Sequence, residues 1–111
     1  MATSARIRST IAALVDQPDD LRALRTFHKA LADVNRLRIV RRLADGDATV
    51  TELMDHVGLS QPLVSWHLGR LRAAGIVETR RNGRATVCRL RPAAFDEGST
   101  RTRAFVGLAE R

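Results

Sequence analysis

Gln61 and Ser65, four residues apart in the run LSQPLVSWHLG over 59–69, put an amide and a hydroxyl one helical turn apart on one face. A glutamine amide donates and accepts at once, so it can pair bidentately with adenine in a DNA major groove. Pro62 and Trp66 stand beside this pair as apolar groups able to meet thymine methyls or the sugar backbone. Trp66 has a second reading, in which the bulky ring folds back onto the protein. Residue types for catalysis are sparse, with three histidines, one cysteine and no tyrosine. Ser65 and His67 are two apart on a helix and therefore point apart. No phosphate loop and no acid pair in an apolar setting occurs, so no enzyme is expected.

The element carrying Gln61 and Ser65 reads as a helix. Ser60 serves as its N-cap, Pro62 sits in its first turn, and Val64, Leu68 and Leu71 form one buried stripe. His67 flanks that stripe and is expected to pack. A modest, uncharged polar face turned outward suits a recognition helix, and Arg70 and Arg72 farther along are placed for phosphates. Downstream, the β-rich runs 76–81 and 84–90 are separated by Asn82-Gly83, which predicts a hairpin with a type I′ turn. Its tip presents Arg80, Arg81 and Arg84, suited to a minor groove or a phosphate clamp. In that register Cys88 lies opposite Val77 as a buried structural thiol.

Charge placement supports the same reading. The chain carries a net charge of +7, and from Ser60 to Arg91 seven arginines face a single acid, Glu78. A polyanionic partner, double-stranded DNA, is expected. Arginine accounts for every basic residue except Lys29. That bias is also what a GC-rich genome produces, so it is not taken as evidence of guanine contacts.

With 111 residues, one domain is expected over 1–111. Ile7, Ile11, Leu14 and Val15 predict a first helix ending near Asp16. Leu21 to Leu43 reads as helix throughout, on Leu24, Phe27, Leu31, Leu37, Val40 and Leu43, with a weak point at 33–35. Asp19 or Asp20 is its candidate N-cap. Thr49 or Thr51 caps a short helix buried on Leu53 and Val57, and Gly58 closes it. Asp96 to Thr100 reads as a polar interruption before a last helix over 101–111. The whole is mainly α with a β-hairpin wing, a winged helix-turn-helix in the order α-α-α-α-β-β-α: helix-turn-helix at 50–74, wing at 76–90, dimerisation helices at 1–16 and 101–111. Ile7, Ile11 and Leu14, with Phe105, Val106 and Leu108, would leave large apolar areas on so small a monomer, which predicts a homodimer. No apolar run is long enough to span a membrane and the N-terminus lacks a signal-peptide core, so a cytoplasmic location is expected.

The segments ALADVNRLRIVRRL (30–43) and TELMDHVGLSQPLVSWHLGRLRAAGIVETRRNGRATVCRL (51–90) resemble the ArsR/SmtB family of dimeric bacterial transcriptional regulators. The departures are Val34-Asn35 for a usual Pro-Thr, and Trp66 where a histidine is common. The resemblance implies a homodimer through the first and last helices, binding to an inverted repeat, and release by an effector. It also implies where metal ligands would stand. A Cys-x-Cys pair would align with Thr49-Val50-Thr51, and an Asp-x-His with Pro92-Ala93-Ala94, so both family metal sites are absent by residue identity. No cofactor is expected.

What remains for a metal is His28 with Asp16, Asp19 and Asp20 across a dimer, a weak nitrogen/oxygen site for a divalent ion such as nickel or zinc. Three functions are carried forward: a DNA-binding regulator; a weakly metal-responsive version of it, with a second sensory protein as a further partner; and a protein-interaction module on a winged-helix scaffold.

Overall fold

The computed structural model describes residues 18–108. The helix expected through Ile7, Ile11 and Leu14 lies outside them. Helix α1 (Pro18–Leu31) begins on a proline, which suits a first turn. Asp19 and Asp20 stand inside that turn against the positive end of the helix dipole, not at the cap. The single helix expected to Leu43 is two. Asp33, in extended backbone, accepts from the Arg36 N–H at 3.0 Å and starts α2 (Val34–Ala44). This break resets the helical phase. Ile39 is fully buried, whereas Leu37, expected inside, is 49% exposed.

Ala48–Thr49 forms a short strand β1 that the hairpin reading did not include. Thr49 then caps α3 (Val50–Val57) through a capping box. Its hydroxyl accepts from the Glu52 N–H at 3.1 Å, and its own N–H donates to Glu52 Oε1 at 3.0 Å. Those bonds hold the Glu52 carboxyl below its usual range. Arg38 of α2 reaches the far end of α3, donating to the carbonyls of His56 (2.9 Å) and Val57 (3.2 Å). Both ends of the helix-turn-helix's first helix are thereby tied.

Helix α4 (Gln61–Ala73) buries Val64, His67, Leu68 and Leu71, as expected. Strands β2 (Val77–Asn82) and β3 (Ala85–Leu90) follow, and the sheet order is β1-β3-β2, all antiparallel. The turn is one residue later than expected. Asn82 pairs with Ala85, so the two loop residues are Gly83 and Arg84. Gly83 has φ +63 and, among the described residues, no non-glycine residue has positive φ, which fits a turn with glycine first, not the type I′ form. Cys88 consequently pairs with Thr79 and Val77 with Leu90. The slip moves each partner by two residues, so Cys88 keeps its inward face and is fully buried.

The last helix, α5 (Ala93–Phe105), runs straight through Asp96–Thr100. The expected interruption is wrong, and two residues inside it show why the helix continues. Glu97 pairs with Arg91 (3.0 Å), and Gly98 is buried where a side chain would overlap the Phe27 ring of α1. One core joins Ile39 and Leu43 of α2, Leu53 and Val57 of α3, Val64, Leu68 and Leu71 of α4, and Cys88 of β3.

Candidate nucleic-acid interface

Helix α4 is held at its inner edge by a residue that sequence reasoning passed over. Arg36 is buried in the α1–α2 corner. Its Nε donates to the Ala30 carbonyl (2.7 Å), its Nη2 to the Lys29 carbonyl (3.3 Å), and its Nη1 to Nδ1 of His67 (3.1 Å). An arginine can only donate, so Nδ1 accepts and the ring proton sits on Nε2. His67 also lies 3.9 Å from Asp33 Oδ1, too far for a hydrogen bond. The packing role expected for His67 holds. A signal for Arg36 was present: Arg36, Ile39 and Leu43 share one helical phase behind the N-cap Asp33.

The outward arc of α4 divides into two edges. Gln61, Ser65 and Arg72 line a cleft of about 390 Å³ whose far wall is the wing, with Arg81, Arg84 and Thr86. Arg81 donates to Thr86 Oγ1 at 3.1 Å, which steadies it across the strands. On the other edge are Trp66 and Arg70. Trp66 is 52% exposed, with Arg70 Cζ 5.1 Å and Arg36 Cζ 5.6 Å from its ring and His67 at its edge. The reading in which Trp66 turns back onto the protein is met in part: its ring lies beside two guanidinium groups, and about half of its surface stays open. Ser60 has N-cap backbone geometry, but its hydroxyl makes no capping hydrogen bond. Pro62 is exposed in the first turn.

Strand alternation places Arg80 on the opposite face of β2 from Arg81, away from the cleft. Of the seven arginines counted in the sequence, Arg89 is paired with Asp47 (3.4 Å) and Arg91 with Glu97 and Glu78. Arg70, Arg72, Arg80, Arg81 and Arg84 have no carboxylate partner among the described residues. Fewer of the seven arginines are uncompensated than the sequence count implies, and those five lie on α4 and the wing.

The other chemical candidates do not converge. His28 Nε2 is 2.9 Å from Thr102 Oγ1, a hydroxyl that itself donates to the Gly98 carbonyl. Asp19 lies nine residues back along α1, about 14 Å, and pairs with Arg22. Among the described residues no three His, Cys, Asp or Glu side chains gather. Burial pushes the Cys88 thiol up to about 11 against a small opposing pull from Arg72, so it is not a reactive thiolate. Phe105 and Leu108 are 37% and 49% exposed at the end of α5.

A helix-turn-helix whose second helix faces an arginine-tipped hairpin defines a winged helix-turn-helix protein. The sequence model for bacterial regulatory proteins of the arsR family matches residues 33–79. The crystal structure of the transcriptional repressor BigR from Xylella fastidiosa is 30% identical with a TM-score of 0.60, covering 89% of this chain and 96% of that one. NolR from Sinorhizobium fredii superposes with a TM-score of 0.64 at 28% identity, covering 84% and 96%. The chain belongs to the ArsR/SmtB family. Among curated relatives, the HTH-type transcriptional regulator KmtR of Mycobacterium tuberculosis is 44% identical over 62 residues, 56% of this chain and 48% of that protein. The chain spans about half the length of the curated relatives it matches.

Proposed function

We propose that the protein is a sequence-specific DNA-binding transcriptional regulator that grips an inverted-repeat operator as a homodimer. The observation that carries this is the cleft between α4 and the wing. Gln61 and Ser65 offer uncharged hydrogen-bonding groups on the helix side, and Arg81 and Arg84, without carboxylate partners among the described residues, offer cations on the other. Base-reading groups and phosphate-binding groups thus share one surface, the division of labour that duplex recognition requires. The names of the relatives, regulators and repressors, agree. The role is not enzymatic: Ser65 is exposed, whereas His67 is buried and bound to Arg36.

The exposed Phe105, Val106 and Leu108 support the homodimer, since apolar side chains at a helix end gain by mutual burial. The reading needs no bound metal; titration with Ni²⁺, Zn²⁺ and Co²⁺ tests it. A cytoplasmic location follows from the DNA-binding role. The deciding experiment is fluorescence anisotropy with duplex from upstream of the gene, beside a scrambled duplex of equal composition. Tighter binding to the upstream duplex is expected; equal affinity for both overturns sequence-specific reading. Sedimentation of F105D/L108D beside the unmodified chain tests the dimer, with a shift toward monomer expected.

A further inference from the structure

We infer that Arg25 and Lys29 of α1, together with Arg70 of α4, form a second phosphodiester-binding site on the flank of the recognition helix opposite the wing. The inference rests on the DNA-binding reading above and extends it to a surface the wing cannot reach. A hollow of about 170 Å³ lies between α1 and α4, lined by Arg25, Lys29, Arg36, Trp66 and Arg70, with no carboxylate in its walls. Among the described residues, Arg25, Lys29 and Arg70 have no ion-pair partner.

Arg36 forms the floor, its donors turned to the Lys29 and Ala30 carbonyls and to His67. Fixing that carbonyl fixes the backbone that carries the Lys29 side chain. The Trp66 ring lies against Arg70 at 5.1 Å, which orders the guanidinium plane while leaving its N–H edge able to donate. Three uncompensated cations held beside a rigid wall match a fixed anion. A major groove about 12 Å wide admits one helix about 10–12 Å across. A helix seated there meets a phosphate strand on each side. The wing and Arg72 face one strand; the α1 corner faces the other.

The test is the salt dependence of binding to a scrambled duplex, measured by anisotropy for the unmodified protein, R25Q/K29Q, and the matched-charge control R41Q/R101Q. Phosphate contacts release counterions, so log Kd against log salt should flatten by about 2 per bound protomer for R25Q/K29Q. The control should change little. R25K/K29R should retain the full slope, which a general loss of folding would not allow; thermal melts of all variants check the same point. The ratio of upstream to scrambled affinity should survive in R25Q/K29Q. An R25Q/K29Q slope equal to the control's overturns the site and leaves the helix-and-wing reading intact. A flattened slope with no preference for the upstream duplex supports the site and removes only the claim of sequence specificity.

Discussion

Arg36 donates to Nδ1 of His67 across 3.1 Å, tying the corner between α1 and α2 to the inner face of the recognition helix. Both side chains are buried, and the same guanidinium closes the end of α1 through the Lys29 and Ala30 carbonyls. Arg36→Ala takes the donor from the Ala30 carbonyl and His67 Nδ1, while the Lys29 carbonyl keeps the Ala32 N–H at 3.2 Å; a buried unsatisfied group costs about 1–3 kcal/mol. We expect a loss on the order of 3 kcal/mol by urea unfolding, and a smaller one for His67→Ala, which strips Arg36 of one acceptor only. The double variant should lose less than the sum of the two. Strict additivity would mean that the pair is not coupled.

The two walls of the cleft should fail in different ways. Gln61→Ala and Ser65→Ala are expected to reduce discrimination between upstream and scrambled duplexes, by about 1–3 kcal/mol where a bidentate base contact is lost. Arg81→Ala and Arg84→Ala should weaken binding to all sequences and flatten the salt slope by about 0.9 for each contact. Equal losses on both duplexes for Gln61→Ala would refute its base-reading role.

Helix α5 crosses α1 at Gly98, where a methyl group would overlap the Phe27 ring. Gly98→Ala trades a gain in helix propensity, about 1 kcal/mol, against overpacking of about 1–3 kcal/mol. A net lowering of Tm is expected. Phe27→Leu in the same chain should recover part of it. A Gly98→Ala variant more stable than the unmodified protein would show that the two helices separate freely.

Cys88 gives a stability change confined to alkaline pH. Burial holds its thiol up to about 11, above the ordinary 9.0. Between those values the unfolded chain loses the proton that the folded chain keeps, so stability is full below pH 9 and falls as pH rises toward about 11. The chain has no tyrosine and one lysine, so few other groups titrate there. Urea midpoints from pH 8 to 11 should fall for the unmodified protein and stay nearly level for Cys88→Ala. Parallel curves would remove the thiol as the cause.

Local chemistry made much of this protein legible in its sequence. Val64, Leu68 and Leu71 recur at helical spacing because α4 has one buried face. Thr49 and Gly58 stand at the ends of α3 because helix ends need a hydroxyl acceptor and a left-handed residue. Gln61 and Ser65 share an outward face by periodicity alone. Single-residue phase was less secure. Asn82-Gly83 and Gly83-Arg84 are both permissible turns, and the choice lay with β3, which also pairs with β1. Asp96–Thr100 looked polar enough to break a helix, and only Phe27, brought in from α1, explains a buried glycine there.

The sequence by itself determined the order of elements, the recognition helix and the basic character of its surroundings, because each follows from residues close together in the chain. The tertiary structure decided which cations remain unpaired. It bound Arg89 to Asp47 and Arg91 to Glu97, turned Arg80 away from the cleft, and brought Arg25 and Lys29 beside Arg70. It also placed Arg36 at the centre of the α1–α2–α4 corner. Charge can be counted along a chain, but its compensation depends on distances between segments that only folding brings together.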